Sequence, residues 1–201
     1  ENYRKGNALN KYPYGELVSY VFRSLPLLNK PREEIRVLEL GSGAGNNLWF
    51  LSEMGFDVYG VDGSSAAVNI SRSLLKSRGQ KANVSQGDFT NLDYQDGFFD
   101  LIIDREATYC GLKSEIQKTW CEANRVLRPG GVVISFMFSD SNPWLDYAKQ
   151  NPDIVECLEE NTCTGFDRGT FLDAGKSHFS TRKDLENFFD FLEIKSLSEV
   201  T

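Results

Sequence analysis

The sequence predicts an α/β fold, a mostly parallel sheet with helices packed on both faces. Three observations predict it. Short apolar runs recur along the chain with longer helical patterns between them. The runs are continuous rather than alternating, as expected of strands buried on both sides. At 201 residues the chain suits one medium domain, and such a length can bury on the order of 70% of its unfolded surface without a disulfide or metal staple.

The elements follow in order. Residues 1–30 carry Tyr3, Tyr12, Pro13 and Tyr14, then a helical pattern through Leu17, Val21, Leu25 and Leu28. Arg36–Leu40 is a β-prone run ending at Gly41. A helix over Asn47–Met54 stops at Gly55, and Val58–Val61 is the next strand. Ser64 or Ser65 caps a helix through Ala67, Ile70, Leu74 and Leu75, which ends near Gly79. A weak strand spans 82–86 and a strong buried one 98–103. Ser114 and Gln117 form a capping box before Ile116, Trp120, Ala123 and Leu127, and Pro129-Gly130-Gly131 stops that helix. A strand over 132–138 follows. Asn142-Pro143 and Asn151-Pro152 each read as an N-cap with proline in the first turn, so two short helices are expected. Thr181 and Asp184 open a helix through Leu185, Phe188 and Phe189, and 191–197 reads as a last strand. The expected organisation is a single domain over 1–201: a cover segment at 1–30, a core at 31–139, a lid or insertion at 140–180, and the last helix and edge strand at 181–201.

Composition excludes several classes. The net charge is −7, which argues against broad contact with a phosphate backbone, so no nucleic-acid partner is expected. Mean hydropathy is −0.39, and no apolar run approaches the roughly 18 residues of a membrane span. There is no secretory signal pattern; Glu1 is not an initiator methionine, so the start reads as trimmed. Cys110, Cys121, Cys157 and Cys163 show no metal-binding spacing, and free thiols in a cytoplasmic protein are expected, with no metal site.

The chemistry lies in Val37-Leu38-Glu39-Leu40-Gly41-Ser42-Gly43-Ala44-Gly45-Asn46. A strand runs into three glycines and a helix begins at once. Glycine permits the tight turn and a close approach of backbone to ligand, and the helix start offers oriented N–H donors. Asp62 ends the next strand 21 residues after Gly41, where a carboxylate can accept both hydroxyls of a ribose. The dinucleotide fingerprint G-x-G-x-x-G/A is broken by Asn46. An acidic Glu39 at the loop entry repels a pyrophosphate and suits a cationic ligand.

The pattern from Glu39 to Gly45 resembles the first motif of the class I S-adenosylmethionine-dependent methyltransferases, an acidic residue followed by x-G-x-G-x-G. The resemblance spans roughly 37–136 and implies a Rossmann-like fold. It implies a cofactor site of Glu39, Gly41, Ser42, Gly43, Gly45, Asp62, Gly63 and Ser64. Asp88 would meet the adenine amino group, Phe89 would pack on the ring, and Asp104 would stand near the methyl group. Val126-Leu127-Arg128-Pro129-Gly130-Gly131 resembles the turn before the fifth strand of small-molecule members. The family's sheet usually ends in a two-stranded antiparallel hairpin, and this chain reaches Thr201 after one expected strand.

The implied activity is methyl transfer from S-adenosylmethionine to oxygen or nitrogen of a small-molecule acceptor, by direct in-line displacement, leaving S-adenosylhomocysteine. The catalytic candidates are His178, the chain's only histidine and the best general base by chemistry alone, with Asp104 and Tyr109 next. The plainer readings are a structural or surface histidine, and an Asp104–Arg105 pair that organises a turn. An aminopropyl-type transferase on the same fold, a nicotinamide dehydrogenase and a non-catalytic nucleoside-binding module are the alternatives. A monomer or homodimer is expected.

Overall fold

The computed structural model describes residues 10–199. The chain divides into two compact units, Glu1–Arg105 with Glu122–Phe136, and Glu106–Cys121 with Met137–Thr201.

The first unit is the expected α/β core. Its elements are α1 (Gly15–Leu28), β1 (Arg36–Leu40), α2 (Asn46–Glu53), β2 (Asp57–Asp62), α3 (Ser65–Ser77), β3 (Asn83–Gln86), β4 (Phe99–Arg105) and, after α4 (Lys113–Val126), β5 (Leu127–Phe136). Helix α4 contributes residues to both units. The five strands pair in parallel in the order β3-β2-β1-β4-β5. The chain runs outward from β1 on one side, then returns to β4 on the other. Strand β1 is therefore the point where the winding reverses, and the crevice at its carboxyl end is where open α/β sheets bind ligands. Leu40 lies in register with Val61 of β2 and Asp104 of β4, which places Glu39, Asp62 and Asp104 at that end.

Strands β1 and β4 are almost wholly buried, so the continuous apolar pattern has its expected cause. Helix α1 buries Leu17, Val21 and Leu28 on one stripe, which joins Leu48, Leu51, Val58, Val68, Leu101 and Ile134 in the main core. Asn29 in the left-handed region (φ 48°) ends it. Ser64 caps α3 by accepting from the Ala67 N–H at 3.3 Å.

The opposite end of the sheet is held by one carboxylate. Asp100 is 1% exposed and accepts from Lys30 Nζ at 2.6 Å, from the Arg36 backbone N–H at 2.9 Å and from Arg128 Nε. Arg128 also donates to the Leu28 carbonyl at 3.0 Å. The starts of β1 and β4, the start of β5 and the end of α1 are thus joined through one charged cluster. Burial alone would raise the Asp100 carboxyl, and the donors of Lys30, Arg36 and Arg128 outweigh it, holding the group below the usual carboxylate range.

The second unit contains the first part of α4, α5 (Pro143–Gln150), β6 (Glu156–Glu159), β7 (Thr162–Thr164), β8 (Ser177–His178) and α6 (Arg182–Phe188). The strands form an antiparallel sheet in the order β6-β7-β8. Its core is aromatic: Phe166, Phe171 and Phe179 with Leu145, Val155 and Cys163, packed by Tyr109, Phe138 and Trp144. Asn142 caps α5 through the Trp144 N–H at 3.0 Å, and Thr181 with Asp184 forms the expected capping box of α6.

Several expectations are corrected in this part of the chain. Asn151-Pro152 opens a turn and not a helix, because β6 starts only four residues later at Glu156. The sheet β6-β7-β8 was not expected; its strands of four, three and two residues are too short to show a period. Residues 193–199 form neither strand nor helix; Ile194 and Leu197 are about half exposed, and no partner strand meets them among the described residues. Cys157 and Cys163, facing one another across β6 and β7, form a disulfide and are not free thiols, whereas Cys110 and Cys121 are in no disulfide. The capping box is displaced too: α4 begins at Lys113, so Ser114 lies inside it, and the Glu115 carboxylate instead accepts from the Leu112 N–H at 2.7 Å. Finally, Pro129-Gly130-Gly131 is absorbed into β5 as an irregularity between Phe99 and Leu101 of its partner, after α4 has ended at Val126.

No helix among the described residues is long and apolar enough to cross a membrane. Replacing Asp100 by alanine leaves Lys30 and Arg128 without their shared acceptor. The expected cost is about 3–5 kcal/mol, read as a lowered urea midpoint; a loss below about 1 kcal/mol would show that the cluster does not hold the sheet end.

Candidate functional site

The site is built at the carboxyl ends of β1 and β2. After Leu40 the chain turns through Gly41 (φ 68°), Gly43 (φ 52°) and Gly45 (φ 83°), all in the left-handed region where side chains are strained. Gly45 has a second reason to be glycine. A Cβ there would lie 2.3 Å from Ser71 Oγ on α3, so α2 and α3 can approach only over a bare backbone. Gly60 does the same inside β2, where a Cβ would meet Leu48 at 2.7 Å and Ser42 at 2.9 Å.

The loop is pinned from below and from the side. The N–H groups of Gly41 and Ser42 donate to the Val61 carbonyl at 2.8 and 3.2 Å. Asp62, 9% exposed, accepts from the Gly43 N–H through Oδ2 at 2.9 Å and from the Ser64 N–H through Oδ1 at 2.8 Å. Each oxygen has further lone-pair capacity, so the carboxylate that shapes the loop can still accept from a ligand hydroxyl. Gly63 and Ser64 follow at the start of α3, Ser64 as its cap.

Glu39 is the most perturbed group of the site. It is 2% exposed, and its Oε1 accepts from Asn47 Nδ2 at 2.6 Å. Its Oε2 is buried and has no hydrogen-bond partner among the described residues. Burial pushes the carboxyl up to about 8; the Asn47 hydrogen bond and Arg105 pull it down, and the neighbouring Asp62 and Asp104 push it further up. A buried carboxyl with an idle oxygen and two acidic neighbours is an environment that a cation would relieve.

The remaining sequence-predicted residues fall in three places. Asp104 ends β4, is fully buried, and accepts from Ser135 Oγ of β5 at 2.8 Å. Asp88 is exposed and holds a turn by accepting from the Thr90 N–H and hydroxyl, both at 2.8 Å; the Thr90 backbone bond holds it below the usual carboxylate range. Phe89 beside it is half-buried. Tyr109 and His178 belong to the second unit, where the His178 N–H donates to the Tyr109 carbonyl at 3.0 Å. The Tyr109 ring packs edge-on against Phe138 at 4.7 Å. His178 is fully buried on β8, its Nδ1 2.8 Å from Thr162 Oγ1 of β7 and its Nε2 3.7 Å from Asp184. Burial pushes its imidazole below the usual range against the opposing pull of Asp184, so it is neutral at pH 7. Those contacts make it a strand-pairing residue of its own unit. Among the described residues no cluster of histidine, cysteine and acids is placed to hold a metal.

Sequence reasoning missed the polar roof over the loop. Asn46 and Asn47 are 7% and 2% exposed at the start of α2. Asn46 Nδ2 donates to the Tyr12 carbonyl at 3.0 Å, Asn47 Oδ1 accepts from the Tyr14 N–H at 3.3 Å, and Trp49 Nε1 donates to the Lys11 carbonyl at 3.1 Å. The available signal was two successive asparagines where an amphipathic helix would bury apolar residues.

Comparison with known proteins agrees with this geometry. A family profile described as "Methyltransferase domain" matches residues 37–131, the span from β1 into β5. An uncharacterized methyltransferase of Schizosaccharomyces pombe is 30% identical over 108 residues, 53% of this chain and 73% of that protein. The chain belongs to the class I S-adenosylmethionine-dependent methyltransferase family. A Bacillus subtilis relative, YqeM, is 28% identical over 149 residues, covering 71% of this chain. This chain spans 58% of the length of YqeM and 46% of another B. subtilis relative, YcgJ. A solved S-adenosylmethionine-dependent methyltransferase from Methanosarcina mazei has the same fold, with a TM-score of 0.69 and 22% identity over 90% of this chain and 84% of that one.

The Glu39 shift has a consequence for the ligand-free protein. The unfolded chain releases this proton near 4.5 and the folded chain near 8, so folding retains a proton between those values. The Glu39 contribution to stability is therefore full below about pH 4.5, declines as pH rises, and levels off above about 8. Glu39→Gln should remove that part of the pH dependence, measured as the difference between the two stability curves; parallel curves would refute the shift.

Proposed function

We propose that this chain binds S-adenosylmethionine at the β1–α2 loop and transfers its methyl group to oxygen or nitrogen of a small-molecule acceptor by direct displacement. The observation that carries the cofactor reading is Glu39: a buried carboxyl with an unpartnered oxygen at the entry of a glycine loop. When bound, S-adenosylmethionine supplies an electrophilic methyl group on a cationic sulfur. The chain's residues supply the rest. Glu39 offers an acceptor to the ligand's ammonium group, and Asp62 offers its remaining lone pairs to the ribose hydroxyls while holding Gly43 and Ser64. The positive-φ glycines keep Cβ atoms away from the approaching ligand. Asp88 and Phe89 stand beyond β3 at the adenine end. Holding two reactants in one geometry contributes up to about 7–11 kcal/mol to such a transfer without a covalent enzyme intermediate.

The net charge of −7 supports a small acceptor over a polyanionic one. In this reading Asp104, at the carboxyl end of β4, is the acceptor-side candidate of the first unit; Tyr109 and His178 belong to the second unit.

Calorimetry tests the cofactor reading. S-adenosylmethionine and S-adenosylhomocysteine should bind and NAD should not, and Asp62→Ala should weaken binding at least tenfold. The affinity of S-adenosylhomocysteine should rise with pH up to about 8, as Glu39 gives up its proton to meet the ammonium, and then level off. No binding of either adenosyl ligand would overturn the proposal.

A further inference from the structure

Asn47 stands between the Glu39 carboxyl and the segment that leads into α1. On one side its Nδ2 donates to Glu39 Oε1 at 2.6 Å. On the other its Oδ1 accepts from the Tyr14 N–H at 3.3 Å and from Asn46 Nδ2 at 3.2 Å. The orientation of the amide is fixed by these partners. Turned over, its oxygen would face a carboxylate oxygen and its NH₂ would face two N–H donors. Asn47 therefore cannot let go of Glu39 by a flip and keep its hold on Tyr14.

The segment Lys11–Tyr14 is attached to α2 through its main chain. The carbonyls of Lys11 and Tyr12 and the N–H of Tyr14 each meet a side chain of α2, those of Trp49, Asn46 and Asn47. Only the Asn47 contact also reaches the carboxylate at the loop entry. An ionised Glu39 draws on the Asn47 N–H, polarises the amide and makes its oxygen a better acceptor for Tyr14. The exchange runs in both directions, because a bond that strengthens another is strengthened by it.

We infer that Asn47 is a positioning residue that couples closure of the Lys11–Tyr14 strap over α2 to occupancy of the Glu39 site by the cationic end of the cofactor. The inference rests on the cofactor reading above. A cationic ligand at Glu39 favours the ionised carboxylate, the ionised carboxylate tightens Asn47, and Asn47 holds Tyr14 and the start of α1. In return, a closed strap keeps Glu39 oriented and dry. The same residue at a merely structural position would hold the strap equally with the site empty or filled.

Two readouts test this on the whole chain. The first is a cycle of S-adenosylhomocysteine affinities for the wild type, Asn47→Ala, Glu39→Gln and the double variant. Asn47→Ala should weaken binding about tenfold in the wild-type background and less than threefold beside Glu39→Gln. The second is tryptic cleavage after Lys11, followed by mass spectrometry of the fragment that begins at Tyr12. Saturating S-adenosylhomocysteine should slow this cleavage in the wild type and not in Asn47→Ala. Asn47→Asp keeps the shape and an acceptor for Tyr14 but loses the donor to Glu39. It should therefore leave cleavage of the free protein unchanged while abolishing the ligand's protection, and it serves if the alanine variant does not fold. Equal losses in both backgrounds, or protection undiminished in Asn47→Asp, would overturn the coupling. Failure of the wild type to bind S-adenosylhomocysteine would overturn the cofactor reading instead.

Discussion

A carboxyl group at the reversal point of a parallel sheet, enclosed by protein and hydrogen-bonded through only one oxygen, is the constraint around which the first unit is arranged. Glu39 cannot move away, because β1 is paired on both sides and its neighbours Leu38 and Leu40 are fully buried. It cannot be solvated either. What remains is to protonate it, as its surroundings do up to about pH 8, or to bring a cation to it. The loop that follows is stripped of side chains at three positions, Asp62 adds another acceptor, and Tyr14 meets Asn47, the asparagine that donates to Glu39.

Asp100 shows the alternative fate of a buried carboxylate in the same sheet. It is as enclosed as Glu39, yet Lys30, Arg36 and Arg128 surround it, and its carboxyl is drawn down where that of Glu39 is driven up. Burial drives Glu39 up, whereas the donors around Asp100 outweigh its burial. At the amino ends of the strands the chain supplies its own cations and gains a fixed joint. At the carboxyl ends Glu39 has the Asn47 hydrogen bond and the more remote Arg105 charge, and the neighbouring acids Asp62 and Asp104 work against them.

The core was legible because its signals are local. Each strand–helix pair from β1 to β5 carries its own apolar run and stop, and the spacing of Glu39, the three glycines and Asp62 follows from the loop's backbone geometry. The second unit was less legible for a physical reason. Strands β6, β7 and β8 hold nine residues in all, too few for a period, and their stability comes from pairing at a distance, the Cys157–Cys163 bridge and the cluster of Phe166, Phe171 and Phe179. The run at 191–197 shows the converse error. Its Ile194 and Leu197 have the composition of a strand, but pattern alone does not supply a neighbour to pair with. His178 was singled out for its chemistry, and only the structure shows it buried on β8 beside Thr162. Asn47 was passed over because an asparagine at a helix start has a routine explanation, and only its two partners reveal another.

The central claim is that Glu39 is a buried acid waiting for a cation. Its own titration tests that most directly, followed by carbon-13 NMR of the labelled side-chain carboxyl, with Glu39→Gln used to assign the signal. In the free protein the carboxyl should titrate near 8, and saturating S-adenosylhomocysteine should move it to markedly lower pH. A carboxyl that titrates near 4.5 in the free protein, or one whose titration is unchanged by the ligand, would contradict the account.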